Sequence, residues 1–448
     1  MNKQPAYTRL PFQRFFNQLV QGSYPLLFAA FAALVWANMS PETYYSFWHA
    51  ELSIILGPFK IAKSTAHWVD EALMALFFFT VGLEIKREFI VGHLSSMKQA
   101  MLPITAAIGG MVVPAIFYYA FNCGSPSLNG WAIPMATDIA FSLAVLSVLG
   151  KRIPFGLKIF LTAFAIVDDL GAVVIIAIFY TKQIIWWPYF GIALFFLIGL
   201  AIANLMWIRK TIVYILLGIG LWFGILGSGI HATVAGVIVA MFILAKGKYD
   251  TDTFIQNVYE HLNSFACDAQ RGCGHSILLN RKHMDAVQSI DLACQDVETP
   301  LQRFEHGLQS WVSLFVMPLF ALANAGLVFK HLDVAEAILH PVTLGIITGL
   351  TIGKPLGIIT FTLLSIKLFK TKLIKGLNLQ HIIGAGFLGG IGFTMSLFIS
   401  GLSFTNEQFI NYSKLGIIVG SAISCVIGFL ILYPSARLFT WQRNQTKQ

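Results

Sequence analysis

The stretch Ile159-Phe-Leu-Thr-Ala-Phe-Ala-Ile-Val-Asp-Asp-Leu-Gly-Ala-Val-Val-Ile-Ile-Ala-Ile-Phe-Tyr180 is apolar except for two adjacent aspartates, Asp168 and Asp169. It is long enough to cross the hydrocarbon core of a bilayer, which takes about 20 helical residues. An ionised side chain at the centre of a membrane helix costs at least about 2.5 kcal/mol, so such residues usually line a polar path and carry function. The pair therefore indicates that the chain handles a cation, a proton, or both.

The composition of the whole chain agrees with a membrane location. Of the 448 residues, 56% are hydrophobic and 11% are charged, whereas about 25% of the residues of a soluble domain are charged. These values predict a polytopic membrane protein in contact with the lipid bilayer. The formal net charge of +9 favours basic cytoplasmic loops over a nucleic-acid partner, because surplus Lys and Arg mark the cytoplasmic side of membrane proteins.

Apolar runs of spanning length occur at twelve places in the sequence and predict an all-α protein with twelve transmembrane helices. They lie at residues 22–40, 66–85, 100–121, 129–148, 159–180, 186–207, 211–227, 229–245, 310–329, 342–366, 380–403 and 415–433. Almost every Lys and Arg outside these spans falls on one side of the membrane; the exceptions are Lys60, Lys63, Lys182, Lys330 and Lys414. This bias predicts that both termini are cytoplasmic.

The same spacing divides the chain into four parts. Spans one to eight occupy residues 1–246, a cytoplasmic insertion follows at 247–307, spans nine to twelve occupy 308–436, and a cytoplasmic tail ends the chain at 437–448. Two short amphipathic helices are expected in the insertion, from Asp252 to Phe265 and from Asp285 to Leu292. Its thiols and imidazoles fit no familiar zinc spacing, so we expect no bound metal or other cofactor there; they are Cys267, Cys273, His275, His283 and Cys294.

Few ionisable residues fall within the predicted spans; they are Asp70, Glu71, Asp138, Asp168, Asp169 and Lys354. A buried lysine without a carboxylate partner tends to lose its proton, so Lys354 is expected to pair with one of the aspartates at 138, 168 and 169. Such a pair could simply neutralise charge, but the further carboxylates favour a transport role. Asp168 and Asp169 point about 100° apart on a helix, so one can face an ion while the other faces a neighbouring helix.

Two spans carry signals of interruption. Span four has Pro134 close to Thr137 and Asp138, and span eleven has glycines at 384, 386, 389, 390 and 392. Tight helix packing also explains glycine-rich membrane helices. However, spans four and eleven are the middle members of the triplets 3-4-5 and 10-11-12, which run in opposite directions. Interrupted helices in corresponding places of two inverted-topology repeats are typical of a transporter site at the midplane. Asp138 could offset the positive ends of broken helices, and Lys354 the negative ends.

Four motifs closely resemble the NhaA-type bacterial sodium/proton antiporters. They are Ala136-Thr-Asp-Ile-Ala-Phe141, Ala165-Ile-Val-Asp-Asp-Leu-Gly171, Gly353-Lys-Pro-Leu-Gly357 and Gly390-Ile-Gly-Phe-Thr-Met-Ser396. The resemblance runs from about span one to span twelve, with further matches at residues 81–88, 229–236 and 319–326. It implies a fold of inverted repeats with interrupted helices four and eleven.

The resemblance also implies roles for individual residues. Asp169 would be the central sodium ligand, Asp168 would exchange partners with Lys354, Thr137 would donate an oxygen, and Asp138 would balance helix dipoles. The positions that the family uses to sense pH on the cytoplasmic side correspond to Glu84, Glu88, Glu305 and His306.

Three positions depart from the family pattern or need a separate reading. One more of the cytoplasmic pH-sensing positions, usually histidine in the family, is Gln309 here. The pH at which transport becomes active is therefore expected to differ. Glu71 stands where the family usually has an aspartate, a change that we expect to be tolerated. His231 is expected to be a hydrogen-bonded structural histidine rather than a direct participant in transport.

The resemblance thus implies an electrogenic, pH-regulated Na⁺(Li⁺)/H⁺ antiporter of the bacterial inner membrane, not an enzyme, that forms a homodimer. Na⁺ favours hard oxygen ligands and can bind only when the carboxylates are deprotonated, so sodium and protons would exclude each other at one site. If the lysine also titrates, more than one proton moves per sodium and the cycle responds to voltage.

Three alternatives stay open from the sequence. An intramembrane aspartyl protease also needs two membrane aspartates, but its Gly-x-Gly-Asp and Tyr-Asp motifs are absent from the spans, and it leaves Lys354 unexplained. A cation channel could use an aspartate-lined path, with a flux that needs no counter-flow of protons. A ligand sensor is motivated only by the cytoplasmic insertion.

Overall fold

The computed structural model describes residues 11–445 except 57–58, 93, 151–152, 182–185, 248–250, 264–280, 331–332, 372 and 374–375. The predicted metal-ligand candidates Cys267, Cys273 and His275 lie outside these residues. The ends of the chain, whose cytoplasmic location the sequence predicts, also fall partly outside them.

Among the described residues, the N-terminal half is helical except for one hairpin. Its α-helices are α1 (Pro11–Met39), α2 (Pro41–His49), α3 (Thr65–Trp68), α4 (Met74–Ile90), α5 (Met97–Asn122), α6 (Ile139–Leu149), α7 (Phe155–Phe179), α8 (Trp187–Leu205), α9 (Thr211–Ser228) and α10 (Thr233–Phe242). A π-helical turn, Val69–Leu73, joins α3 to α4, and a 3₁₀-helix, Pro126–Met135, precedes α6.

The C-terminal half begins with the two helices of the insertion, close to the two predicted places. The helices are α11 (Thr251–Asn263), α12 (Arg281–Val297), α13 (Pro300–Trp311), α14 (Met317–Asn324), α15 (Val334–Leu339), α16 (Pro341–Thr348), α17 (Lys354–Leu368), α18 (Leu379–Gly389), α19 (Phe393–Ser403) and α20 (Glu407–Gln445). Two π-helical turns continue helices here, Val312–Val316 between α13 and α14 and Gly349–Gly353 between α16 and α17.

The hairpin is the one β element among the described residues, and the predicted all-α fold class holds for the rest of them. Strands β1 (Glu51–Leu56) and β2 (Phe59–Ser64) pair antiparallel, with Glu51 opposite Ser64 and Leu56 opposite Phe59. The β1 sequence is rich in isoleucine, and Gly57-Pro58 separates the strands. β-Branched residues favour strands, and Gly and Pro favour turns, so these local preferences oppose a helix here.

The length and apolar composition of the helices are those of a multi-pass membrane protein. Within the described ranges, eight helices are long and apolar enough to cross a membrane, and two bent helix pairs raise the count to as many as ten. The bent pairs are Ser23–Met39 with α2, and α18 with α19. Two predicted spans are not among these helices: residues 66–85, and residues 229–245, where the structure has the shorter apolar helix α10. The count of twelve therefore stays a prediction.

Helices α5 and α17 cross so closely that only glycine fits at the contact. A Cβ added at Gly357 would lie 2.1 Å from the carbonyl oxygen of Gly109, and one added at Gly109 would lie 2.3 Å from the carbonyl oxygen of Gly357. Small residues let membrane helices approach through their backbones. This crossing matters because α17 begins with Lys354 and α5 also packs against α7, which carries Asp168 and Asp169.

Gly357→Ala is expected to lower the free energy of unfolding of the purified protein by about 1–3 kcal/mol, and its melting temperature with it. The reason is that the added methyl group overpacks a backbone contact. Gly401→Ala is the matched control, since a Cβ there would meet nothing within 4 Å. Melting curves in detergent compare the two variants. Equal melting temperatures would show that the α5–α17 contact is looser than described.

Candidate functional site

Two interrupted helices meet in the buried interior of the molecule. After the 3₁₀-helix, Ala136 is extended and Asp138 is the N-cap of α6, while α18 and α19 are bent by 43° at residues 390–392. The Asp138 amide donates to the Ile391 carbonyl at 2.7 Å, and the Thr137 hydroxyl donates to the Gly389 carbonyl at 2.9 Å. Both breaks are thus closed by hydrogen bonds from one broken helix to the other.

The glycines at the second break both interrupt the helix and allow neighbouring backbones to approach it closely. A Cβ at Gly390 would lie 2.3 Å from the Leu350 carbonyl oxygen, and a Cβ at Gly392 would lie 3.0 Å from the Ala136 carbonyl oxygen. Tight helix packing and helix interruption, the two interpretations of the glycine-rich span, are therefore compatible. The interrupted backbone is also the backbone that its neighbours approach.

Asp138 caps two helix N-termini at once. One carboxylate oxygen accepts from the Phe141 amide at 3.1 Å, in the first turn of α6. The other accepts from the amide and the hydroxyl of Thr394, at 3.2 and 2.5 Å, in the first turn of α19. A negative group is favourable at helix N-termini, where the macrodipole is positive. This geometry is suited to the dipole-balancing role that the resemblance implies for Asp138.

Lys354 pairs with Asp168, one of the three partners that the sequence proposed. The ammonium lies 2.9 Å from the Asp168 carboxylate, and both side chains are almost completely buried. The ammonium also donates to the carbonyl of Met135, the last residue of the 3₁₀-helix. It therefore lies at a negative helix end, opposite in sign to the ends that Asp138 caps.

Among the described residues, Asp169 has no such partner. Its side chain is 1% exposed, and neither carboxylate oxygen has a hydrogen-bond partner among the residues that the structure describes. It lines a cavity of about 60 Å³ together with Thr137, Asp138 and Thr394. A buried carboxylate without donors is costly unless a proton or a cation neutralises it. The cavity can therefore bind either, through oxygen ligands, at the junction of the broken helices.

A second cluster of charges lies at the cytoplasmic end predicted for α4 and α13. Arg87 donates to Glu305 at 2.6 Å and to Glu88 at 3.3 Å. Glu84 is buried and lies 3.5 Å from the side-chain amide of Gln309. Glu84 and Gln309 line the same cavity as Asp169. Three of the residues that the resemblance links to pH sensing thus lie together.

His306, the fourth of them, is next to Glu305 in the chain but contacts Glu298. Its ring is 3.5 Å from the Glu298 carboxylate, and its side chain is 70% exposed. Glu298 directly follows α12, so His306 contacts the segment that joins α12 to α13.

His231 and Glu71 form a separate contact at the other end of α4. The His231 ring bonds to the Tyr180 carbonyl at 2.9 Å and lies 3.6 Å from the Glu71 carboxylate. Glu71 also accepts from the Ala232 amide at 3.0 Å. The expected structural, hydrogen-bonded role of His231 fits this geometry, and a longer acidic side chain is accommodated at position 71.

Several residues of the site were missed from the sequence. Thr394 and Arg87 lie inside quoted motifs, but a threonine or an arginine there gives no indication of a partner more than 200 positions away. The two hydroxyl residues Thr80 and Ser313 also line the cavity and carried no sequence signal. Among the described residues, no three His, Cys, Asp or Glu side chains are grouped to hold a metal ion.

The chain is similar over nearly its full length to named sodium/proton antiporters. The profile of the family described as Na+/H+ antiporter 1 matches residues 13–432. A relative from Saccharophagus degradans, Na(+)/H(+) antiporter NhaA 1, is 45% identical over 94% of this chain and 91% of its own. Na(+)/H(+) antiporter NhaA 2 from Syntrophotalea carbinolica is 43% identical over 95% of this chain and 97% of its own. Na(+)/H(+) antiporter NhaA from Helicobacter pylori strain J99 is 44% identical over 92% of both chains.

Proposed function

Because the chain belongs to the Na+/H+ antiporter 1 family, whose named members are transporters rather than enzymes, we propose that it exchanges sodium for protons at one central site. Asp169 is the main cation ligand, Asp168 joins it during the cycle, and Thr137 supplies an oxygen. The observation that carries this assignment is the Asp169 carboxylate, which is buried in a cavity without a hydrogen-bond donor among the described residues.

Exchange follows from competition for the same oxygens. Sodium binds only to deprotonated carboxylates, and a proton that neutralises Asp169 removes its attraction for the cation. The site therefore holds sodium or protons but not both. If it opens alternately to the two sides of the membrane, each sodium extruded is replaced by protons taken up, as in transporters built on inverted repeats.

The Lys354–Asp168 pair supplies the second proton of the cycle. When sodium draws Asp168 away, the buried ammonium loses the carboxylate that stabilises its charge. It then releases a proton, and when sodium leaves it takes up a proton again and the pair re-forms. Two protons exchanged for one sodium move net charge, so the membrane potential drives the cycle as well as the proton gradient.

The remaining assignments rest on the family and on the positive-inside bias. They are twelve spans in inverted repeats, both termini in the cytoplasm, an inner-membrane location, transport of Li⁺ besides Na⁺, and a homodimer. We assign Glu84, Glu88, Glu305 and His306 to pH regulation, since three of them lie around Arg87 or beside the cavity. Gln309 lies 3.5 Å from Glu84 and cannot titrate, so the pH set point is expected to differ from that of relatives with histidine there.

The direct test uses everted vesicles from a host without its own antiporters, acidified by respiration and loaded with a ΔpH-sensitive dye. Addition of NaCl or LiCl is expected to dequench the dye rapidly, whereas KCl is not, with an activity that varies over a range of pH. An inside-positive potential, set by a potassium gradient and valinomycin, is expected to raise the exchange rate. The reason is that two protons leave the vesicle for each sodium that enters.

Two outcomes would contradict the proposal. Sodium flux without any movement of protons would favour a channel over an exchanger. No dequenching at any pH, in vesicles where immunoblotting finds the protein, would favour a sensor.

A further inference from the structure

The cavity beside Asp169 continues between α4 and α13 as a pair of polar helix faces. Thr80 and Glu84 are one turn apart on α4, and Gln309 and Ser313 are one turn apart on α13 and the π-helical turn that follows it. Residues four positions apart lie on the same side of a helix. All four side chains line the cavity that also contains Asp169, so the two faces meet on the cytoplasmic side predicted for it.

These four side chains offer mostly lone pairs to the cavity. The Thr80 hydroxyl donates its proton to the Phe77 carbonyl at 2.7 Å, and the Ser313 hydroxyl donates to the Gln309 carbonyl at 2.8 Å. Since each hydroxyl has one proton, both oxygens are left as acceptors. The amide nitrogen of Gln309 is directed to Glu84 at 3.5 Å, which leaves its amide oxygen as a further acceptor.

A cation suits this set better than water alone does. Hydroxyl, amide and carboxylate oxygens are hard ligands, the kind that small hard cations take in proteins. The nearby Arg87 already forms salt bridges with Glu88 and Glu305. The whole cavity, which these four side chains share with Asp169, has a volume of about 60 Å³, compared with about 10–15 Å³ for one water. It can therefore hold a cation that keeps part of its hydration shell.

We propose that Thr80, Glu84, Gln309 and Ser313 form a second, staging site for a partly hydrated monovalent cation, next to the central site at Asp169. This inference rests on the proposed function and deepens it. The staging site replaces some of the water ligands of a sodium ion before it reaches Asp169. It also raises the local sodium concentration at the central site, so its effect falls on the apparent affinity for sodium rather than on the maximal rate.

The first test removes the two hydroxyls with little change of volume. In the double variant Thr80→Val/Ser313→Ala, the KM for Na⁺ in everted vesicles is expected to rise about tenfold, equivalent to about 1.4 kcal/mol, with the maximal rate retained. The matched control is Thr360→Val/Ser147→Ala. Its hydroxyls make the same kind of bond to a helix carbonyl, to Leu356 and Ala144, at 2.7 Å each, and they do not line the cavity. A KM equal to that of the control would overturn the staging site in favour of a cavity that holds only water.

The second test separates the two sites in the purified full-length protein. ²³Na NMR line broadening is expected to detect weak sodium binding in Asp169→Asn, and to lose it when Glu84→Gln is added. Absence of binding in Asp169→Asn, when the parent protein binds sodium, would overturn the staging site and leave the central site intact. Full exchange activity in Asp169→Asn would instead overturn the proposed function. Melting curves of each variant establish that it is folded.

Discussion

Asp169→Asn is expected to abolish sodium/proton exchange while the protein remains folded. Asparagine has nearly the same shape as aspartate but no charge, so the buried cation loses its main ligand. Leaving a buried charge without its partner costs about 3–5 kcal/mol, and each 1.4 kcal/mol is a factor of ten. Exchange in everted vesicles is therefore expected to fall at least about a hundredfold.

The stability of Asp169→Asn is expected to remain at or above that of the parent. Among the described residues, no hydrogen bond to the Asp169 carboxylate is lost in this substitution, and burying an unpaired carboxylate is itself unfavourable. Asp285→Asn is the control, since Asp285 is exposed on α12. Exchange at the parent rate in Asp169→Asn would contradict the central role of this residue.

Lys354→Ala is expected to lower both the thermal stability and the exchange rate. The substitution leaves the Asp168 carboxylate buried without its partner and removes a donor from the Met135 carbonyl. Breaking a buried ion pair from one side typically costs about 3–5 kcal/mol. Melting curves of the purified protein measure this loss, and Lys330→Ala, at an exposed lysine, provides the control.

A double-mutant cycle isolates the pair itself. Asp168→Ala is expected to destabilise the parent strongly but to cost much less in the Lys354→Ala background, because the carboxylate there has already lost its partner. Equal costs in the two backgrounds would mean that the 2.9 Å contact contributes little to the folded state.

The sequence was informative where burial in the membrane alone determines that a charged side chain needs a partner. A lysine inside a membrane span needs a carboxylate, so a partner for Lys354 could be predicted. Its identity as Asp168 could not, because Asp168 and Asp169 differ only by a rotation of about 100° on α7. That rotation depends on the helices that pack around α7, among them α5, α4, α6 and α18.

Other contacts were out of reach for the same reason. The partnership of Asp138 with Thr394 and that of Arg87 with Glu305 join residues more than 200 positions apart. Neither a threonine nor an arginine is unusual where it stands. The hairpin was missed because a search for apolar spans does not register two short strands between them.

By itself, the sequence determined a polytopic helical membrane protein, the carboxylates and the lysine that need partners within it, and the weak points of two helices. These follow from local chemistry, since lipid penalises each charge and proline or glycine weakens each helix wherever it occurs. The tertiary structure alone decided that Asp168 is neutralised by Lys354 and that Asp138 caps two helices. It also decided that Asp169, without a hydrogen-bond partner among the described residues, lines a cavity shared with Glu84 and Gln309. Those outcomes depend on the rotation and close approach of helices distant in the chain, which side-chain packing determines.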